Sequence, residues 1–216
     1  ARRVLRAASV FGQRFWRGAV KSLLGENDAS LDVVEWLRTL EDRELVARRP
    51  SSRFADEAEY VFRHALVRDT AYAALTDTDR ALGHRLAAEW LERAGEHDAV
   101  LLGEHLQRAG DERRAVRFYR AAAAQALEGN DLEAAVDRAT RGIVSARGED
   151  RAWLLLYAAE AEAWRGRFTE ALELADEAVL EAGRTASELC LRSFHVTAIA
   201  CGRLGRIERL EQLAYE

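Results

Sequence analysis

A single proline, Pro50, occurs among the 216 residues of this chain. Proline lacks a backbone N–H and its ring clashes with the preceding helical turn, so helix interiors exclude it. Its scarcity therefore permits long, uninterrupted helices over almost the whole sequence. Alanine, arginine, leucine and glutamate, all strong helix formers, are abundant. We predict a mainly α-helical fold.

Charge and hydropathy argue against two classes of function. The net charge of −5 provides no general attraction to nucleic acid, which we do not expect as a partner. No stretch approaches the roughly 20 apolar residues that cross a bilayer.

The two cysteines, Cys190 and Cys201, are expected to be reduced thiols, as in a cytoplasmic protein. Because methionine is absent and the first residue is Ala1, we expect a piece of a longer polypeptide.

The first 63 residues have the element order of a winged helix. Helical periodicity runs over residues 3–10 and 15–24, and Ser30 is a good N-cap for a third helix. Two strand-like segments follow, at residues 44–48 and 59–63, with turn-forming residues between them. We therefore predict a winged-helix-like N-terminal domain over residues 1–63.

The third predicted helix has the wrong charge for a DNA reader, although winged helices often read DNA through it. It carries four acidic side chains and only one arginine, so its surface repels phosphates. The arginines of the predicted hairpin, in contrast, favour DNA binding. The residues concerned are Asp32, Glu35, Glu41, Asp42 and Arg38 in the helix, and Arg48, Arg49 and Arg53 in the hairpin. We expect a packing module, with a DNA-binding transcriptional regulator as the alternative.

We predict that residues 64–96 form a two-helix linker. It divides near residues 76–79, where Asp and Thr can cap the second helix. One run in this region and one at the start of the chain resemble a known family. These are Phe62-Arg63-His64-Ala65-Leu66-Val67-Arg68-Asp69-Thr70-Ala71-Tyr72, then Asp79-Arg80 and Gly83-His84-Arg85-Leu86-Ala87, and Arg3-Val4-Leu5-Arg6-Ala7-Ala8-Ser9-Val10-Phe11-Gly12. They resemble the segment that follows the ATPase core in bacterial signal-transduction ATPases with numerous domains.

The resemblance implies an arrangement and also a limit. In that family a nucleotide-binding core precedes a winged helix and tetratricopeptide-like repeats, and relatives are fused to Ser/Thr kinase or nucleotide cyclase domains. No G-x-x-x-x-G-K-S/T phosphate-binding loop and no kinase signature occur in this chain. We therefore expect no enzymatic activity and no cofactor in this segment. ATP and magnesium are expected only for an upstream core, which would be its partner in cis.

From residue 97 onward the chain predicts an α-α superhelix of tetratricopeptide-like hairpins, over residues 97–216. Similar strings recur at spacings near the ~34-residue period of that repeat. The turns fall at Gly110, Gly129, Gly166 and Gly205. Stacked hairpins form a concave surface that commonly holds a peptide or protein ligand. Four polar side chains are candidates for that surface or for ordinary solvated positions: Arg138, Arg141, Glu162 and Arg165.

Five side chains of the linker are candidates for contacts between domains: His64, Arg68, Tyr72, Arg80 and His84. Of these, His64 and His84 are expected to satisfy hydrogen bonds where the winged helix meets the helical array. The five histidines of the chain lack the His-x-x-x-His spacing that places two imidazoles on one metal ion, so no metal site is expected. No catalytic set and no small-molecule site is evident.

The sequence thus favours a regulatory, protein-interaction segment that relays partner binding to an upstream ATPase core. A stand-alone scaffold without an ATPase is a third possibility.

Overall fold

The computed structural model describes residues 1–25, 32–182 and 187–209. Within them the chain is mainly α-helical, with consecutive helices packed on one another, as predicted. The chain divides into two compact units. Unit 1 comprises the described residues of Ala1–His97 and Glu104–Asp111, and unit 2 those of Asp98–Gly103 and Glu112–Glu216. The predicted domain boundaries at residues 63 and 96 stay predictions.

Unit 1 combines short helices with a small sheet. In chain order its elements are α1 (Arg2–Ser9), β1 (Arg14–Trp16), α2 (Arg17–Leu24), α3 (Val33–Asp42), β2 (Val46–Arg48), β3 (Glu59–Phe62), α4 (Ala65–Ala73) and α5 (Asp77–Arg93). The next helix, α6 (Ala99–Arg108), contributes residues to each unit. The three strands form an antiparallel sheet in the order β1-β3-β2.

Strand β1 corrects the sequence reading, which placed residues 15 and 16 in a helix. Aromatic side chains favour the half-buried surface of a sheet. Phe15 is fully buried and stacks on Tyr60 of β3, with ring centroids 5.7 Å apart. The helix begins only at Arg17, where the Glu57 carboxylate accepts a hydrogen bond from the N–H of Gly18 at 3.0 Å.

Side-chain caps begin two of the predicted helices. The carboxylate of Asp32 accepts hydrogen bonds from the N–H groups of Val34 and Glu35 and so caps α3. The predicted cap Ser30 lies outside the described residues. The hydroxyl of Thr76 accepts a hydrogen bond from the N–H of Asp79 at 3.1 Å. The two helices of the linker therefore divide where the sequence predicted.

Helix α5 buries one face, which includes Gly83, His84 and Leu91. Leu82 lies off this face, with half of its side chain exposed. A Cβ at Gly83 would lie 3.0 Å from a methyl carbon of Val10. The absence of a side chain at this glycine therefore lets α5 approach that part of unit 1 closely.

Unit 2 is built from longer helices. They are α7 (Glu112–Glu128), α8 (Leu132–Ile143), α9 (Gly148–Trp164), α10 (Phe168–Ala182) and α11 (Ser187–Leu204). Helix α9 contacts α7, α8, α10 and α11 and is the centre of the unit. The α7–α8 and α9–α10 connections are short, and Asn130 and Gly166 adopt the left-handed conformation there. Residues 210–216 of the predicted array lie outside the described residues. Among the helices that the structure describes, none is long and apolar enough to cross a bilayer.

Candidate functional site

Unit 1 contains a buried polar chain that joins two of the predicted linker residues to a third side chain. The hydroxyl of Tyr72 on α4 lies 2.8 Å from Nε2 of His84 on α5. Nδ1 of His84 lies 2.9 Å from Nδ1 of His105 on α6. His84 is fully buried and His105 is 3% exposed. We call this set the Tyr72–His84–His105 chain.

The two facing Nδ1 atoms restrict how protons are distributed. A neutral imidazole carries one N–H, so one ring must donate across the 2.9 Å contact while the other accepts. When His84 donates from Nδ1, its Nε2 accepts from the hydroxyl of Tyr72. When His105 donates instead, Nε2 of His84 carries the proton and donates to Tyr72. Either arrangement of protons satisfies both ring nitrogens of His84. Protons on both of the facing Nδ1 atoms would repel each other.

Burial keeps both imidazoles neutral. Desolvation is the largest cause of the lowered pKa of His84, which falls to about 3, and the charges of His105 and Arg108 lower it further. Desolvation also lowers the pKa of His105 to about 4, again with a contribution from Arg108. A neutral, hydrogen-bonded pair in the interior stabilises the fold only while neither ring takes up a second proton.

The remaining linker candidates do not join this pair directly. The guanidinium of Arg80 lies over the ring of Tyr72, 5.2 Å from its centroid, and also bonds Asp77 at 3.1 Å. Arg68 forms an ion pair with its neighbour Asp69. His64 is exposed and precedes α4 without a side-chain capping bond. The structure thus brings together Tyr72, Arg80 and His84 and leaves Arg68 and His64 apart.

Sequence reasoning missed His105 as a partner of His84. The two residues are 21 positions apart, and no repeat or spacing rule connects them. The one available signal was the position of His105 between Leu102 and Leu106 on a predicted helix, since a histidine on an apolar face needs a buried partner.

The predicted surface residues of unit 2 do not converge on one site. Arg138 donates to the backbone carbonyl of Ala122 at 3.0 Å. Arg141 pairs with Asp137 along α8, at 3.0 Å. Glu162 is only 5% exposed and pairs with Arg165 at 3.0 Å, so it does not belong to an open surface. Its charge is neutralised within the turn that follows α9, where Arg167 lies 3.6 Å from the same carboxylate.

A different face of unit 2 gathers side chains with binding chemistry. Helices α7, α9 and α11 lie side by side, with α9 contacting both of the others. Spacings of three and four residues place one stripe of each helix on this side. We call it the α7–α9–α11 face, and its stripes are Arg117, Arg120, Ala121 and Ala124; Asp150, Trp153, Tyr157, Glu160 and Trp164; and Arg192, His195, Val196, Ile199 and Arg203.

An arginine–aromatic band crosses the middle of this face. The guanidinium groups of Arg120 and Arg192 lie over the ring of Trp153, at 5.3 and 5.4 Å from its centroid. Arg192 also donates two hydrogen bonds to the carboxylate of Glu160, at 2.8 and 2.7 Å. This bond is the largest cause of the raised pKa of Arg192. A bidentate pair of this kind holds both side chains in fixed positions.

Two hollows open on the α7–α9–α11 face. The larger hollow, of about 850 Å³, includes Glu160, Trp164, Phe168, His195, Ile199 and Arg203 in its lining. The smaller hollow, of about 430 Å³, is lined by Arg117, Arg120, Ala121, Ala124, Asp150 and Tyr157. The side chain of Trp164 is 76% exposed at the larger hollow. Large exposed aromatic side chains beside a concavity are typical of a contact site for a partner.

Among the described residues, no group of three or more His, Cys, Asp or Glu side chains could hold a metal ion. Compared with known proteins, the chain matches no protein-family model, no curated protein and no solved structure.

Proposed function

We propose that this chain is the regulatory, protein-interaction segment of a multidomain cytoplasmic signalling ATPase from a bacterium, in a protein linked to a kinase or cyclase domain. The observation that carries the proposal is the α7–α9–α11 face, where two hollows flank a fixed arginine–aromatic band. A preformed concave surface with aromatic and charged side chains suits a peptide or protein ligand. The sequence resemblance supplies the signalling ATPase as the parent.

Unit 1 is, in this proposal, a winged helix followed by a two-helix linker. The support is its element order, α1-β1-α2-α3-β2-β3, in which the three strands form one small antiparallel sheet. Unit 2 is a tetratricopeptide-like array. Its support is the start of α7, α9 and α11 at Glu112, Gly148 and Ser187, close to the ~34-residue period of that repeat.

DNA binding is the weaker alternative because two of the three arginines of the predicted hairpin are already engaged. Arg49 forms an ion pair with Glu59 at 3.2 Å, and Arg53 pairs with the buried carboxylate of Glu96. Helix α3 exposes acidic side chains, which repel phosphates. A gel-shift titration at several salt concentrations separates the alternatives, because tight binding with a steep salt dependence would favour a DNA-binding regulator.

The proposed role is to keep an upstream nucleotide-binding core inactive until a partner docks on unit 2. The chain itself then has no catalytic part. Incubated with ATP and magnesium, the purified chain is expected to release phosphate no faster than a protein-free control. A rate of release that rises with protein concentration and depends on magnesium would contradict the proposal. Reading the gene upstream of Ala1 for a phosphate-binding loop tests the assignment of the parent.

A further inference from the structure

The charges of the α7–α9–α11 face do not balance. Arg120 pairs with Asp150 at 2.9 Å, and Arg192 pairs with Glu160, so both carboxylates that line the hollows are neutralised. Among the described residues, no carboxylate lies within ion-pair distance of Arg117 or Arg203. One of these exposed arginines lines each hollow. Within the part of the chain that the structure describes, the face therefore offers two unpaired positive charges, one on α7 and one on α11.

The apolar part of the face is concentrated in the larger hollow. Trp164 and Ile199 are exposed there, and the ring of Phe168 has the guanidinium of Arg203 5.9 Å from its centroid. A side chain that fills this hollow covers exposed aromatic surface and places its neighbours beside Arg203. Each ångström squared of apolar surface removed from water contributes roughly 25 cal/mol. A bulky apolar or aromatic side chain is therefore the best occupant.

The distance between the two arginines sets the length of a ligand. Helices α7 and α11 both pack on α9, and packed helices lie about 8–10 Å apart. Two such steps separate α7 from α11 by roughly 16–20 Å across the face. Along α9, Asp150 at the smaller hollow and Trp164 at the larger one lie about 21 Å apart, at 1.5 Å per residue. An extended chain covers the resulting diagonal of roughly 26–29 Å with about eight residues, at roughly 3.3–3.6 Å for each residue.

We propose that the α7–α9–α11 face binds an extended acidic peptide of about eight residues. A bulky apolar side chain near one end enters the larger hollow, with an adjacent carboxylate on Arg203. A second carboxylate at the other end contacts Arg117 across the arginine–aromatic band. The inference rests on the proposed function of this chain as an interaction segment and names the class of its ligand.

A single-stranded nucleic acid is the competing ligand, since aromatic side chains and arginines also stack bases. The face does not favour it. Such ligands need a continuous row of cations along their backbone, whereas here the intervening Arg120 and Arg192 are already paired with carboxylates. A peptide with carboxylates only at its ends needs only the two unpaired arginines.

Fluorescence anisotropy with the full chain tests the proposal. The probe is a fluorescein-labelled octapeptide with glutamate at positions one and eight, phenylalanine at position seven and serine elsewhere. One matched probe replaces both glutamates by lysine, another replaces phenylalanine by alanine, and a labelled octamer of deoxythymidine represents nucleic acid. We expect the acidic probe to bind about tenfold tighter than either altered peptide, and more tightly than the oligonucleotide, since a charge-assisted pair commonly contributes a factor of about ten.

Charge-reversing variants locate the site. R117E and R203E are each expected to weaken binding of the acidic probe about tenfold, because both arginines are exposed and meet a carboxylate only in the complex. R141E, on α8 and outside the α7–α9–α11 face, is the matched control and should bind as the unaltered chain does. Circular dichroism establishes that all three variants keep their helix content.

Equal binding of the acidic and lysine probes, no binding of any peptide, tighter binding of the oligonucleotide, or unchanged affinity in R117E and R203E would each overturn the inference. None of these results bears on phosphate release from ATP. A chain that hydrolyses ATP would contradict the proposed function while leaving the anisotropy result unchanged, so the two failures are distinguishable.

Discussion

The two units have cores of different kinds. Unit 1 is held by large aromatic side chains, in which Trp16 contacts Phe54 and Trp90 at centroid distances of 4.8 and 5.6 Å. Unit 2 has a core rich in alanine, and leucines of α9 fill its centre. The buried alanines of unit 2 are Ala115, Ala122, Ala123, Ala126, Ala135, Ala139, Ala146, Ala152, Ala158, Ala159, Ala161, Ala171, Ala175, Ala178 and Ala200.

This difference separates two ways of stabilising a helical protein. A few large rings carry much of the buried area of unit 1, so the loss of one ring removes many contacts at once. In unit 2 small side chains let the helices approach closely, so added volume is the greater threat. Unit 1 also buries the Tyr72–His84–His105 chain, whereas the described histidine of unit 2, His195, is exposed.

The largest effect is expected from removing a ring of unit 1. F15A deletes a fully buried side chain that packs on Tyr60 and Phe62, with centroids 5.7 and 5.2 Å away. We expect it to lower the free energy of unfolding by about 3–5 kcal/mol, measured by urea denaturation. W164A in unit 2 is the control and should cost less than about 0.5 kcal/mol, because its ring is exposed. Similar losses in the two variants would contradict the claim that the buried ring of Phe15 is a main support of unit 1.

Acidification is expected to weaken unit 1 selectively. The pKa values of His84 and His105 are lowered in the folded state, so the unfolded chain binds more protons below about pH 6.5. Their contribution to stability is therefore complete above that pH and is lost as the pH falls toward the folded pKa values. Between pH 7 and 5.5 we expect a loss of roughly 2 kcal/mol.

Hydrogen exchange measured by segment checks this expectation. Amides of α5 should exchange faster at pH 5.5 than at pH 7 once intrinsic rates are corrected, while amides of α9 should change little. H97Q, which alters an exposed histidine of unit 1, should leave the effect intact. An equal change in α9, or none in α5, would show that the buried pair does not govern the response.

Two glycines test the close packing of unit 2. A Cβ at Gly142 would lie 2.7 Å from a methyl carbon of Leu154 and 3.1 Å from Cβ of Tyr119. We expect G142A to destabilise the chain by about 1–2 kcal/mol in spite of the better helix propensity of alanine. At Gly202 on α11 nothing lies within 4 Å of an added Cβ, so G202A should stabilise by about 0.5–1 kcal/mol. Thermal unfolding of both variants measures these effects. Changes of the same sign in the two variants would contradict close packing at Gly142.

The smallest effect is expected at the surface of α8. Arg141 is 41% exposed in its ion pair with Asp137, one helical turn away. Exposed pairs of this kind contribute about 0.3–0.5 kcal/mol. R141A should therefore change the free energy of unfolding by less than about 0.5 kcal/mol in urea denaturation. A larger loss would indicate that this arginine has a structural role beyond the pair.

Local chemistry made parts of the fold predictable from the sequence. The division between α4 and α5 followed from the capping residue Thr76, and the turn after α9 followed from Gly166. Strand β1 was missed because residues 15 and 16 continue the apolar spacing of the helix behind them. Only pairing with Tyr60, far along the chain, makes that segment a strand.

The candidate site was less predictable because it joins residues that are distant in sequence. Trp153 meets Arg120 from α7 and Arg192 from α11, and no local pattern connects these three positions. The sequence instead suggested Arg138 and Arg141, both on α8. Degenerate repeats do not reveal from their sequence which helix of a hairpin lines the binding face, so those two candidates stay predictions.

Backbone amide chemical shifts recorded while the acidic octapeptide is added to the full chain test the central claim most directly. The account predicts that shifts concentrate at residues 117–124, 157–168 and 195–203, around the two hollows, and that amides of unit 1 stay unchanged. Shifts centred in unit 1, shifts confined to α8 and α10, or no shifts at peptide saturation of the anisotropy signal would contradict it.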